Sequence, residues 1–151
     1  YFGSSFGAYL LLLYFSLRKP AGRKAYFRSA AVNMPTIMLE DPDPRYVEEL
    51  EATGSFLLEE GYERPLRITR DFLADLAGHD VFRLYRAGMA ELRMVHGEAD
   101  DVVPADAARR FAAAKGIPLT VLPDGGHRLL EPGHPSYIAA DAIRFFTGEE
   151  K

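Results

Sequence analysis

At 151 residues the chain suits one domain, and its 48% hydrophobic and 26% charged residues are ordinary globular usage. A formal net charge of −4 with no long basic run argues against nucleic acid as a partner. With no cysteine, disulfides and thiolate metal sites are excluded.

Tyr1 and Phe2 read as the last residues of a strand, and no methionine starts the chain. The sequence is therefore expected to be a piece of a longer one. Phe6 to Leu17 are good helix formers and apolar on nearly all sides, which predicts a buried helix. Its apolar run, Ala8 to Phe15, falls far short of the roughly 20 residues of a membrane span. No basic segment precedes it and no small-residue cleavage site follows, so it does not read as a signal peptide. Arg18 to Lys24 form a polar turn, and Ala25 to Val32 predict a buried strand closed by a turn at Asn33 and Pro35.

The middle of the chain is more polar. Pro44 opens a short helix carrying Tyr46, Val47 and Leu50. Two short apolar runs around Gly61 predict a hairpin. Thr69 then caps a helix whose face is Phe72, Leu73 and Leu76. Residues of about 35–85 thus read as an insertion.

The last third alternates strands and helices. Glu91 to Val95 form a strand that stops at Gly97. A helix runs from Pro104 to Gly116, with Ala107, Ala108 and Phe111 on one side. Ile117 to Leu122 form the next strand. A closing helix follows, with Tyr137, Ile138, Ala142, Ile143 and Phe146 facing a core. This alternation predicts an α/β fold with a mostly parallel sheet and helices on both faces.

Gly3, Ser5 and Gly7 stand in the form Gly-x-Ser-x-Gly between a strand end and a buried helix. Such a turn strains the serine backbone and presents its hydroxyl at a helix N-terminus, where free amides favour developing negative charge. The plain alternative is a Gly/Ser turn without chemistry. Asp100 in "VHGEADDVVP" follows one predicted strand, and His127 in "LPDGGHRL" follows the next. The order Ser, Asp, His is that of hydrolases whose nucleophile turn comes first. In a parallel sheet the three loops share one edge and can meet there.

On these three motifs the chain resembles the C-terminal part of an α/β-hydrolase-fold serine hydrolase, with residues 35–85 matching only as a variable cap. Its small cap is most similar to that of feruloyl-esterase or serine-aminopeptidase-like members. The resemblance implies Ser5 as nucleophile, His127 as base, Asp100 as the acid that orients it, and the Phe6 amide as one oxyanion donor. The second donor, and several strands, would lie upstream of Tyr1, so the 151 residues alone are expected to be weakly active or inactive. They would also leave a sheet edge and an apolar helix face uncovered. Ser4 stands where relatives often carry His, and no Pro precedes the acid strand.

Other residues stay open as alternatives: Ser4 as nucleophile and Asp101 as acid. His96 reads as a loop hydrogen-bonder, Asp124 as turn chemistry, and His79 and His134 as exposed or capping residues. Phe56, Leu57, Tyr62 and Leu66 could line an acyl pocket or simply pack beneath the insertion. No metal-ligand spacing occurs, and neither a metal nor a cofactor is expected. The expected partner is a small-molecule acyl substrate, with no nucleic acid and no membrane. The cytoplasm is the default location. The function implied is hydrolysis of a carboxylic ester, or of an amide or thioester, through an acyl-serine. Acyl transfer on the same residues, or a non-catalytic binding protein of this fold, are the alternatives.

Overall fold

In the computed structural model, residues 1–18, 20–40, 42–59 and 64–149 are described. Contacts divide the chain into two units: residues 1–33 with 81–151, and residues 34–80.

The first unit is built on four parallel strands, β1 (Phe2–Ser4), β2 (Lys24–Arg28), β5 (Glu91–Gly97) and β6 (Leu119–Leu122), in the order β1-β2-β5-β6. Each parallel step needs a crossover, and helices supply them. Helix α1 (Phe6–Leu17) follows β1 and buries Ala8, Tyr9, Leu12 and Phe15. Helix α6 (Ala105–Lys115) joins β5 to β6 and stops at Gly116, whose φ of 65° suits a residue without a Cβ.

Strand alternation sorts the core onto two faces. Tyr26, Val95 and Leu122 point to one face, where Leu129, Ile138, Ala142 and Phe145 complete a buried cluster. The last three belong to helix α7 (His134–Thr147). Leu92, Met94 and His96 point the other way. The fully buried Phe111 of α6 meets Phe82, of the short helix α5 (Val81–Leu84), edge-on with ring centroids 5.1 Å apart. A polar tie crosses the α7 side. Tyr26 Oη donates to Asp141 at 2.9 Å and Arg93 pairs with the same carboxylate at 3.0 Å. Burial first, and then this bond to Asp141, push the Tyr26 phenol above its ordinary range.

The second unit holds α2 (Met34–Leu39), α3 (Pro44–Thr53), the antiparallel pair β3 (Ser55–Leu58) and β4 (Leu66–Thr69), and α4 (Arg70–Gly78). Asp43 caps α3 and Thr69 caps α4 through side-chain acceptors. Gly61 and Tyr62 lie outside the described residues. Phe56 is buried and stacks on Tyr46 with ring centroids 4.6 Å apart, so it acts in packing, whereas Leu57 and Leu66 are exposed.

Three expectations change. The strand expected over 25–32 ends at Arg28, because Ser29 turns the chain at φ 46°. Asn33 lies in the expected turn, but Pro35 is already beyond it. Pro35 sits in the first turn of α2, where its missing N–H costs no helix bond. The closing helix is rotated from the expected face. Ile138, Asp141, Ala142 and Phe145 are buried, at the spacing of one helical stripe, while Tyr137, Ile143 and Phe146 are exposed. Asp141 breaks the apolar pattern and hides the true stripe, because its carboxylate serves Tyr26 and Arg93. Among the described residues no helix is long and apolar enough to cross a membrane.

Candidate active site

Ser5 occupies the turn between β1 and α1 with φ 52° and ψ −123°, a region L-residues rarely enter. Such a conformation costs on the order of 1–3 kcal/mol and persists only when neighbours over-determine it. They do so here. Ser5 N donates to Arg28 O at 3.0 Å, and Ser5 O accepts from Ala8 N at 3.1 Å and Ala31 N at 3.2 Å. The turn needs Gly3, because a Cβ there would stand 2.8 Å from Ala8 Cα. Gly7 carries no such constraint. A Cβ at that position meets nothing within 4 Å, so the two motif glycines are not equivalent.

His127 lies in the loop between β6 and α7, 122 positions from Ser5 in sequence. Ser5 Oγ–H donates to His127 Nε2 at 2.9 Å. On the other side of the ring, His127 Nδ1–H donates to Asp100 at 2.9 Å to Oδ2 and 3.0 Å to Oδ1. Asp100 Oδ1 also accepts from the amides of Val102 (3.0 Å) and Val103 (2.8 Å). The Asp100 side chain is fully buried and that of His127 is one-fifth exposed. Burial pushes the Asp100 carboxyl up. The bonds from His127, His96 and the Val103 amide outweigh it and hold the group well below the usual carboxylate range. An ionised acceptor there fixes the imidazole with its proton on Nδ1, leaving Nε2 free to accept from a hydroxyl.

The acid and histidine loops are joined directly. Ala99 N donates to Gly125 O at 2.9 Å. Leu129, with φ 50°, is buried two residues after His127 and anchors its loop in the α7-side core. Glu131 reaches back: Oε1 accepts from Gly126 N at 2.9 Å and Oε2 from His134 Nδ1 at 3.2 Å. The Gly126 amide, above all, holds the Glu131 carboxyl below its ordinary range.

The alternatives sit differently. Ser4 Oγ accepts two bonds from the Arg28 guanidinium, at 2.9 and 3.0 Å. Asp101 is exposed. His96 is fully buried, and its Nε2–H is shared between Val103 O (2.8 Å) and Asp100 Oδ2 (3.1 Å). Asp124 adopts φ 55° in its turn. His79 closes α4, its ring on Asp75 O, and His134 opens α7. Among the described residues no cluster of side chains could hold a metal ion. Sequence reasoning did not single out Arg28 or Glu131. Each acts on a loop distant in the chain or through a backbone group, and neither leaves a local spacing signal.

The arrangement can move a proton from a hydroxyl to an imidazole while a buried carboxylate stabilises the charge that appears on the ring. The Phe6 amide is the first of α1, directly beyond Ser5.

No protein-family model matches the chain, and no curated protein matches it significantly. Solved structures do. A protein of Agrobacterium vitis S4 assigned as a hydrolase is 24% identical with a TM-score of 0.77, over 95% of this chain and 59% of its own. The esterase domain of a Rhodothermus marinus protein is 19% identical with a TM-score of 0.67, over 96% and 60%. Est1E of Butyrivibrio proteoclasticus is 18% identical with a TM-score of 0.69, over 98% and 59%. The chain therefore has the α/β-hydrolase fold. It spans about 60% of the length of those structures.

Proposed function

We propose that the chain carries the catalytic residues of a serine hydrolase that cleaves a carboxylic ester of a small-molecule acyl substrate. The observation that carries this reading is the chain of hydrogen bonds Ser5–His127–Asp100, with Ser5 in a strained turn at a helix N-terminus. The names of the structural neighbours, among them esterases and a monoacylglycerol lipase, support it.

In the proposed reaction Ser5 Oγ attacks the acyl carbonyl as its proton passes to His127 Nε2. The carbonyl oxygen becomes an oxyanion, and the Phe6 amide donates to it. Asp100 keeps the ring oriented and offsets the imidazolium charge. His127 then returns the proton to the departing alkoxide, so an alcohol leaves and an acyl-Ser5 ester remains. Water, deprotonated by His127, attacks that ester; a carboxylic acid leaves and Ser5 regains its proton. One oxyanion donor is worth about 100- to 1,000-fold in turnover.

A fluorophosphonate probe applied to the intact protein tests the reading. Labelling that disappears in Ser5→Ala, together with Ser5-dependent release of p-nitrophenol from p-nitrophenyl acetate, is the expected result. An unlabelled, inactive protein would turn the site into a binding scaffold. Labelling that survives Ser5→Ala and is lost in Ser4→Ala would move the nucleophile.

A further inference from the structure

We propose that Arg28 is a positioning residue that ties the nucleophile turn to the histidine loop; the proposal rests on the serine-hydrolase reading above. Arg28 ends β2 and pairs in register with Ser4 of β1. Its guanidinium donates from Nε and Nη2 to Ser4 Oγ, at 3.0 and 2.9 Å, and from Nη1 to Arg128 O, at 3.3 Å. Ser4 immediately precedes Ser5, and Arg128 immediately follows His127. One planar group therefore holds the chain neighbour of the nucleophile and the chain neighbour of the base. Its own carbonyl also accepts from Ser5 N at 3.0 Å.

The need for such a tie comes from the sheet. Ser5 rises from β1 at one edge and His127 from the end of β6 at the other, with β2 and β5 between. Adjacent strands lie about 4.8 Å apart, so the two strand ends are roughly 14 Å apart. The histidine loop is anchored on its own side by Gly125 O to Ala99 N, by Glu131 to Gly126 N and by the burial of Leu129. On the nucleophile side, a single neutral Ser–His hydrogen bond contributes little by itself. Arg28, on the strand beside β1, adds charge-assisted bonds there. A lysine could not replace it, because an ammonium is a point charge whereas the guanidinium fork reaches both acceptors at once. The same contacts give Ser4 a role other than nucleophile: its oxygen is the anchor of the fork.

The test uses the intact protein and reads the acylation step, as the rate of fluorophosphonate labelling and the burst of p-nitrophenol release. Arg28→Met keeps the stem and removes the donors. Arg28→Lys keeps the charge and loses the fork. Ser4→Ala removes the anchor. Both Arg28 variants are expected to acylate about 10- to 100-fold more slowly with KM nearly unchanged, the scale of a small misplacement of reacting groups. Ser4→Ala combined with Arg28→Met should be no slower than Arg28→Met alone, since the two changes break one tie. Wild-type acylation in folded Arg28 variants, a loss confined to KM, or losses that multiply in the double variant would each overturn the proposal. Should Arg28→Met not fold, Arg28→Lys and Ser4→Ala decide by the same criteria. A wild type that never labels would defeat the hydrolase reading itself. A wild type that labels at Ser5 beside unimpaired Arg28 variants would defeat the tie alone.

Discussion

Gly97 and Gly125 meet backbone to backbone, so closely that a Cβ built on Gly97 would lie 2.1 Å from Gly125 O. One glycine opens the acid loop and the other opens the histidine loop. Their approach lets Ala99 bond Gly125 and brings Asp100 within hydrogen-bond distance of His127 Nδ1.

Gly97→Ala is therefore expected to push the two loops apart. Overpacking of this kind costs about 1–3 kcal/mol, and here the strain falls on the Asp100–His127 bond. Thermal unfolding should show a lower midpoint, and labelling of Ser5 should slow sharply. Gly3→Ala should behave alike, since its Cβ would press on the α1 backbone. Gly7→Ala has open space and a helical position, so it should match wild type or gain up to about 1 kcal/mol. Equal damage from Gly3→Ala and Gly7→Ala would contradict the unequal roles assigned to the two glycines.

Asp100→Asn leaves the shape of the site and removes the charge that fixes the His127 tautomer. A fall in kcat of about 10,000-fold is expected. Asp101→Asn, on an exposed neighbour, should stay within about threefold of wild type, as surface changes do. Steady-state hydrolysis of p-nitrophenyl acetate measures both, and the opposite ranking would make Asp101 the acid.

The depressed Asp100 carboxyl also predicts a pH dependence of stability. In the unfolded chain the group titrates near its ordinary value of about 3.9, so the unfolded state takes up the proton first as pH falls. Its contribution is therefore complete above about pH 5 and is lost progressively below that, as pH drops toward the folded value. Urea unfolding of wild type and Asp100→Asn should show a stability gap that narrows from pH 5 to pH 3. A gap that stays constant over that interval would contradict the shift.

Asp141→Ala leaves the buried Tyr26 hydroxyl without its acceptor and takes one carboxylate from Arg93. Leaving such a donor unsatisfied costs about 1–3 kcal/mol. Denaturant unfolding should report that loss. The folded fraction should keep its labelling rate at Ser5, because Asp141 touches none of the three site residues. An equal fall in labelling would show that the α7 side of the sheet controls the site.

Local rules made much of this protein legible from its sequence. A polar alternation of strands and helices, capping at Thr69, Pro44 at a helix start and Gly116 at a helix end are all encoded within a turn or two of the chain. The Gly-Ser-Ser-Phe-Gly motif, with Asp100 and His127 each placed just beyond a strand, was legible for the same reason: parallel strands put their C-terminal loops on one edge. The stripe of α7 was not legible, because Asp141 is buried by two partners drawn from β2 and β5, and hydropathy alone assigns it to solvent. Tertiary structure alone decided that the Asp100 and His127 loops touch, through two glycines that no spacing connects, and that Arg28 lies across Ser4 and Arg128. Those are relations between strand ends and loops gathered on one edge of the sheet yet far apart along the chain, and only the register of the sheet and the close approach of its loops bring them about.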